Sequence, residues 1–278
     1  MNPDFIHWNP NPEILNVLGF SLRYYGLLFG SGIIVSIIIL KKIFEKENIP
    51  SENLEKLSTY SIIGILLGAR LVHCTFYDPL YYLDNPLEIL LPIQTLPNGE
   101  FSFVGYRGLA SHGGVLGLII ALIIYTKKTK QSLLKTIDLI AIVAPIGGAF
   151  IRIANLMNSE IIGTPSSLPW AFVFERVDSI PRHPAQLYEA ITYLIISMLL
   201  LNLYRNKRKI LPDGFLFGLS LILVFISRFF IEFIKEHQVD YEKGMVLDMG
   251  QLLSIPYVFI GVAFVFYSIK STKKTSQV

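Results

Sequence analysis

Cysteine is nearly missing from this 278-residue chain: Cys74 stands alone, which excludes an internal disulfide and any cysteine-built metal site. Charge is scarce as well. Only 16% of the residues are Asp, Glu, Lys or Arg, against 52% hydrophobic ones, and the mean hydropathy is +0.52, too apolar for a soluble globular domain. The net charge of +3 is too small, and the basic residues too scattered, to suggest a nucleic-acid partner. No basic residue precedes Arg23, so a cleavable signal peptide is not expected and the first apolar span is expected to target the chain. Internal repeats and low-complexity tracts do not stand out. What remains is the composition of an all-α, polytopic integral membrane protein, read as a single membrane domain over residues 1–278.

Seven apolar segments lie near residues 24–40, 57–76, 108–126, 133–156, 186–204, 214–234 and 251–269, each close to the roughly 20 residues that a bilayer core requires. Lysine-rich clusters follow segments one, three, five and seven: Lys41, Lys42 and Lys46; Lys127, Lys128 and Lys130; Arg205, Lys207, Arg208 and Lys209; Lys270, Lys273 and Lys274. By the positive-inside rule those ends are cytoplasmic, so the N-terminus is expected outside and the C-terminus inside. With Lys56 and Lys135, the inner side holds 15 of the 24 basic residues, 13 of them lysine. The other nine are Arg23, Arg70, Arg107, Arg152, Arg176, Arg182, Arg228, Lys235 and Lys243. Seven of these nine are arginine, whose planar fork suits bidentate binding of phosphate or carboxylate in a poorly hydrated site. The outer half therefore looks built to hold an anion. The stretches 77–107 and 157–185, rich in Pro, Gly and aromatics, are expected to lie on the outer membrane surface, anchored by Trp170, Tyr81 and Tyr82.

The chain is organised around Gly147–Gly163, where an apolar run acquires Arg152, Asn155, Asn158, Ser159 and Glu160 within nine residues. Charged groups at membrane depth need a partner, a water-filled cavity or a polar ligand. On helical spacing Arg152, Asn155, Ser159 and Gly163 share one face. Other expected outer ends carry Tyr25 and Gly26; Arg70 and His73; His112, Gly113 and Gly114; Arg182, His183 and Pro184; and Arg228 and Glu232. Helix ends meeting at one depth are how a bundle builds a ligand site. Each residue also has a structural reading. Arg228 and Glu232 could be an i, i+4 pair, Tyr25 an interfacial aromatic, Arg70 and Arg23 snorkelling cations, and His183 a neighbour of a helix-starting proline.

These motifs resemble the prolipoprotein diacylglyceryl transferases of bacterial inner membranes. The family pattern Arg-x-Gly-Asn-Phe-x-Asn-x-Glu-x-x-Gly is matched by Arg152, Asn155, Asn158, Glu160 and Gly163. His112-Gly113-Gly114, Arg182 to Glu189, Tyr25-Gly26, Arg228 with Glu232 and Phe233, and Met249 to Pro256 match five more motifs in order. Ile151, Ala154 and Leu156 depart from the pattern without loss of a polar group, and Ile93 to Arg107 is longer than the usual connection. The resemblance implies transfer of diacylglycerol from phosphatidylglycerol to the lipobox cysteine of a prolipoprotein signal peptide, with glycerol phosphate released and no cofactor or metal. It further implies catalytic roles for His112, Arg152 and Arg228. Substrate contacts would come from Arg152, Asn155, Glu160, Gly163, Tyr25, Arg70, Gly113, Gly114 and Glu232. Intramembrane Arg and Glu would also suit a transporter of an anionic substrate, although transporters place such groups near the midplane between repeats. A retinal protein would need a lysine within its last helix, and Leu252 to Ile269 has none.

Overall fold

Each of the seven apolar segments folds as a long helix in the computed structural model, which describes residues 5–17, 20–96, 98–105, 108–237, 242 and 244–275. Arg107 and Lys243, two of the nine basic residues expected outside, lie beyond the described residues. The helices are α1 (Tyr24–Lys46), α2 (Ser51–Phe76), then the short α3 (Pro79–Asp84) and α4 (Leu87–Leu90), α5 (Ser111–Thr129), α6 (Leu133–Asn158), α7 (Ala185–Lys207), α8 (Phe215–Glu232) and α9 (Met249–Thr275). Six of them, α1, α2, α6, α7, α8 and α9, are long and apolar enough to cross a membrane, which makes the chain a polytopic membrane protein. Helix α5 falls short of that mark because Ser111, His112, Lys127 and Lys128 leave only a short apolar middle. The fold is mostly helical rather than all-α, since the stretches between helices pair as short strands.

The chain falls into two compact units, residues 41–136 and residues 1–40 with 137–278. In the unit 41–136, α2 and α5 approach backbone to backbone. A Cβ added to Gly113 would lie 2.2 Å from the Gly68 carbonyl oxygen, and one on Gly117 would lie 1.9 Å from that of Gly64. Small residues are how helices reach such a separation in lipid, where burial of apolar surface supplies little drive. The strands β4 (Ile93–Thr95) and β5 (Phe101–Phe103) form an antiparallel hairpin after α4.

The other unit is assembled on α6, and its proline explains how. Pro145 has no N–H, so the carbonyl four residues earlier loses its helical donor. That carbonyl, Ala141, accepts the Ser220 hydroxyl of α8 at 3.3 Å. Beside it, Ser197 of α7 donates to Ile142 O at 2.6 Å and Ser36 of α1 to Val143 O at 3.5 Å. In apolar surroundings such substitutes for water are obligatory. Asp138, also on α6, accepts the N–H groups of Gly214 and Phe217 at 2.7 and 2.8 Å and so caps α8, whose own N-cap residue is glycine. Three strands, β1 (Ile6–Trp8), β6 (Phe172–Phe174) and β7 (Pro181–Arg182), form a sheet in the order β1-β6-β7. Its apolar side residues Phe172 and Phe174 pack with Leu156, Ile162, Trp8 and Leu187, and the Trp8 indole donates to Leu156 O at 2.8 Å. A hairpin, β2 (Glu13–Val17) with β3 (Phe20–Arg23), leads into α1.

Candidate active site

Helix α6 stops at Asn158 because Ser159 and Ile161 take φ of 55° and 58°. The shared helical face expected from spacing therefore holds for Arg152 and Asn155, while Ser159 and Gly163 lie beyond the helix. A β-branched residue in the left-handed region costs about 1–3 kcal/mol and persists only where its surroundings over-determine it. Here the surroundings are specific. Glu160 N–H donates to Asn155 O at 3.1 Å, Gly163 N–H to His183 O at 3.0 Å, Thr164 N–H to Ile234 O at 2.9 Å and Glu236 N–H to Ile162 O at 3.1 Å. Gly163 thus bridges antiparallel to Lys235, and its lack of a Cβ is required: one would fall 2.5 Å from His183 and 2.7 Å from Ile234 O.

The reversal folds Glu160 back over α6. Its carboxylate accepts the Asn155 side-chain amide at 2.6 Å and the Asn158 amide at 3.4 Å. Asn155 in turn accepts Arg152 Nη1 at 3.3 Å. Gln186, wholly buried on α7, donates to Glu160 O at 2.7 Å. The Tyr25 hydroxyl at the start of α1 interacts with Asn155 and lies in electrostatic range of Glu160 and Arg152.

A second set of contacts ties Arg152 to α7 and α8. Its Nε lies 2.8 Å from Glu189 Oε2, whose other oxygen is 3.2 Å from Lys235 Nζ; that ammonium is also 3.0 Å from Glu232 Oε2. Glu189 is 0% exposed. Glu232 thus takes Lys235 as its ion-pair partner, and Gly250 at the start of α9 leaves the space, since a Cβ there would lie 2.3 Å from the Glu232 carboxyl carbon. The start of α9 is capped locally, the Asp248 N–H being accepted by Gln251 Oε1 at 3.0 Å in the manner of a capping box. Tyr193, one turn beyond Glu189, interacts with Arg152 and lies within electrostatic range of Arg228 and Glu189. Arg228 keeps a buried Nε with no hydrogen-bond partner among the described residues. Arg152 is thus ion-paired to a carboxylate, whereas Arg228 keeps a donor unused.

Beside the ionic cluster, Arg182 Nη2 lies 2.6 Å from Asp178 Oδ2, and Arg182 Nη1 reaches Glu236. The Arg182 guanidinium holds the Asp178 carboxyl below the usual carboxylate range. The Tyr188 hydroxyl accepts the Trp170 indole N–H at 2.9 Å and lies 3.3 Å from His183 Nδ1. Among the described residues no group of three or more His, Cys, Asp or Glu could hold a metal ion.

Residues 12–267 match the family model described as prolipoprotein diacylglyceryl transferase. The chain belongs to that family. It is similar to the phosphatidylglycerol–prolipoprotein diacylglyceryl transferase of Bacteroides fragilis, at 54% identity over 94% of this chain and 95% of the relative. The proteins of the same name in Chloroherpeton thalassium (41% identity, 98% of each chain) and Campylobacter lari (35%, 97% of each) are similar too.

The family motifs divide between the two units. The unit of α6 to α9 brings together Arg152, Asn155, Glu160, Tyr25 and Glu232 with Arg228, and places Gly163 in the backbone bridge beneath them. His112, Gly113, Gly114 and Arg70 belong to the unit 41–136. There His112 is exposed in the first turn of α5, and Gly113 packs on Gly68. Arg70 donates Nε to Ile89 O at 3.1 Å, Nη1 to the Tyr82 hydroxyl at 3.2 Å and Nη2 to Glu88 O. Glu88 is buried, accepting the Thr95 N–H at 2.6 Å and the Tyr81 hydroxyl at 2.8 Å. Sequence reasoning passed over Glu189, Tyr193 and Lys235 as site residues. A signal existed for the first, a carboxylate one turn into an apolar helix and the last residue of the Arg182–Glu189 motif. Lys235 stood in the arginine-rich outer set without a role.

Proposed function

We propose that this protein moves the diacylglyceryl group of phosphatidylglycerol onto the lipobox cysteine of prolipoprotein signal peptides. The thiol sulfur forms a thioether with the glyceryl carbon, the carbon–oxygen bond to phosphate breaks, and glycerol phosphate leaves with the electron pair. The observation that carries the reading is a family match across nearly the whole chain, with the motif residues of α6, α7 and α8 forming a cluster of paired charges at one end of α6. The lipid donor is an anionic phosphodiester and the leaving group gains charge as the bond breaks, so fixed guanidinium groups favour the transition state over the bound lipid. Arg152 and Asn155 hold the phosphate in this scheme, Arg228 with its unused Nε stabilises the leaving group, and Glu160 orients Arg152 through Asn155. A thiol of ordinary pKa near 8.5 must lose its proton to attack. We assign that proton to His112 on its His-Gly-Gly element, histidine being the usual base near neutral pH.

The reading extends to topology. Seven spans with α5 included, the N-terminus outside and the C-terminus cytoplasmic put the Arg152 cluster at the periplasmic face of a bacterial inner membrane, which is where a lipobox emerges. The lysine distribution supports that orientation. Family membership displaces the anion-transporter alternative.

Transfer from labelled phosphatidylglycerol to a lipobox peptide tests the scheme. Arg152→Ala and Arg228→Ala are each expected to lose activity by at least about 10²-fold, and full activity in both would end the anion-clamp reading. For His112, an unchanged rate and pH–rate profile in His112→Gln would remove it as the base.

A further inference from the structure

Glu189 has no water to solvate it and sits between two cations that come from different elements. Arg152 reaches it from α6 at 2.8 Å and Lys235 from the turn after α8 at 3.2 Å, one to each carboxylate oxygen. A carboxylate wholly out of water is costly unless paired on both sides, and removing one partner of such a group leaves an uncompensated charge. Lys235 cannot drift away from this position, because its backbone is bridged to Gly163 and its ammonium is shared with Glu232. The sequence of contacts runs Glu160, Asn155, Arg152, Glu189, Lys235, Glu232, alternating in sign around the neutral Asn155. Lys235 is 6% exposed and engaged by two carboxylates, so it neutralises the cluster rather than offering a donor to a ligand.

The consequence for Arg152 is geometric. A guanidinium is planar, and with Nε in an ion pair 2.8 Å from Glu189 and Nη1 on Asn155 its rotation is restricted, although the Glu189 oxygens make no aligned hydrogen bond among the described residues. We propose that Glu189 is a positioning residue: its ion pair holds Arg152 in the orientation that meets the lipid phosphate, with Lys235 as the counter-cation at its other oxygen. Tyr193, one turn further along α7, also meets Arg152. The inference rests on the proposed reaction.

The test compares purified wild-type protein with Glu189→Gln, Glu189→Asp and the charge-balanced double variant Glu189→Gln/Lys235→Gln, reading kcat and KM for phosphatidylglycerol together with thermal unfolding. Loss of orientation without loss of ligand binding is expected to lower kcat about 10²-fold in Glu189→Gln while KM changes by less than about threefold. The carboxylate of Glu189→Asp is expected to recover part of that rate. In the double variant the net charge of the cluster is the wild-type one, so thermal stability returns and kcat does not. Wild-type kcat in Glu189→Gln, or recovery of kcat in the double variant, overturns the positioning role in favour of charge balance alone. Should Glu189→Gln fail to fold, the double variant decides by the same two readouts. Absence of transfer by the wild-type protein would instead refute the proposed reaction, so the two failures are distinct.

Discussion

Arg152 and Arg70, one in each unit, are both poorly exposed, and they are held in opposite ways. Arg70 gives its donors to the Ile89 and Glu88 carbonyls and the Tyr82 hydroxyl, all in the segment that follows α2. Its guanidinium works as a staple for that segment. Arg152 pairs with a carboxylate and an amide side chain, and Arg228 in the same unit keeps an unused donor. Neutral carbonyl partners saturate an arginine's hydrogen bonds and give a loop its shape. Side-chain partners that themselves form a chain of alternating charge orient an arginine for something not yet present. Both residues are arginines at the end of an apolar helix, so the difference lies in the partners.

The comparison can be attacked at several points. The largest effect is expected from Arg152→Lys, because an ammonium cannot meet Glu189 and Asn155 with a planar fork; kcat/KM should fall about 10²-fold, measured by lipid transfer to the peptide. Retained activity would mean that Arg152 acts as a point charge and that its partners are incidental. Arg70→Ala is expected to cost about 2–3 kcal/mol of stability, since it strands the carbonyls of half-buried Ile89 and buried Glu88. Thermal unfolding and proteolysis between residues 77 and 105 would report it. Wild-type stability with lost lipid affinity would instead place Arg70 with Arg152 as a ligand residue. A finer cut concerns the two glycines after His112. Gly113→Ala meets the Gly68 carbonyl oxygen at 2.2 Å and is expected to destabilise by about 1–3 kcal/mol. Gly114→Ala meets nothing nearer than 3.5 Å and is expected to unfold like wild type.

The smallest effect is electrostatic. Asp178 is held below its ordinary pKa by Arg182. A depressed carboxylate contributes stability that is full above its unfolded value and is lost as pH falls through its folded value. Acidification below the ordinary carboxylate range should therefore loosen the Asp178–Arg182 link, detectable as a falling unfolding temperature. Asp178→Asn should flatten that part of the profile; an unchanged slope would show that Glu236 alone holds Arg182.

Much of the molecule was legible before folding was considered. Apolar runs of spanning length became helices at the places expected, and the costly polar residues at their ends marked the cluster, since a charge in apolar surroundings needs a reason wherever it occurs. The six ordered motifs pointed to the family that the comparisons show. The short strands were not legible, because runs of two to five residues owe their pairing to distant partners such as Ile6 with Phe172.

Sequence by itself determined which residues are polar at membrane depth, and hence where function had to be sought. Tertiary structure alone decided who partners whom: that α6 stops at Asn158 with Ser159 and Ile161 in the left-handed region, that Glu232 turns to Lys235, that Arg70 staples a loop and that Glu189 joins Arg152 to Lys235. The reason is physical. The need of a buried charge for a partner is a property of the residue, whereas the partner's identity depends on which helix ends the packing around α6 brings within about 3 Å, the range over which hydrogen bonds act.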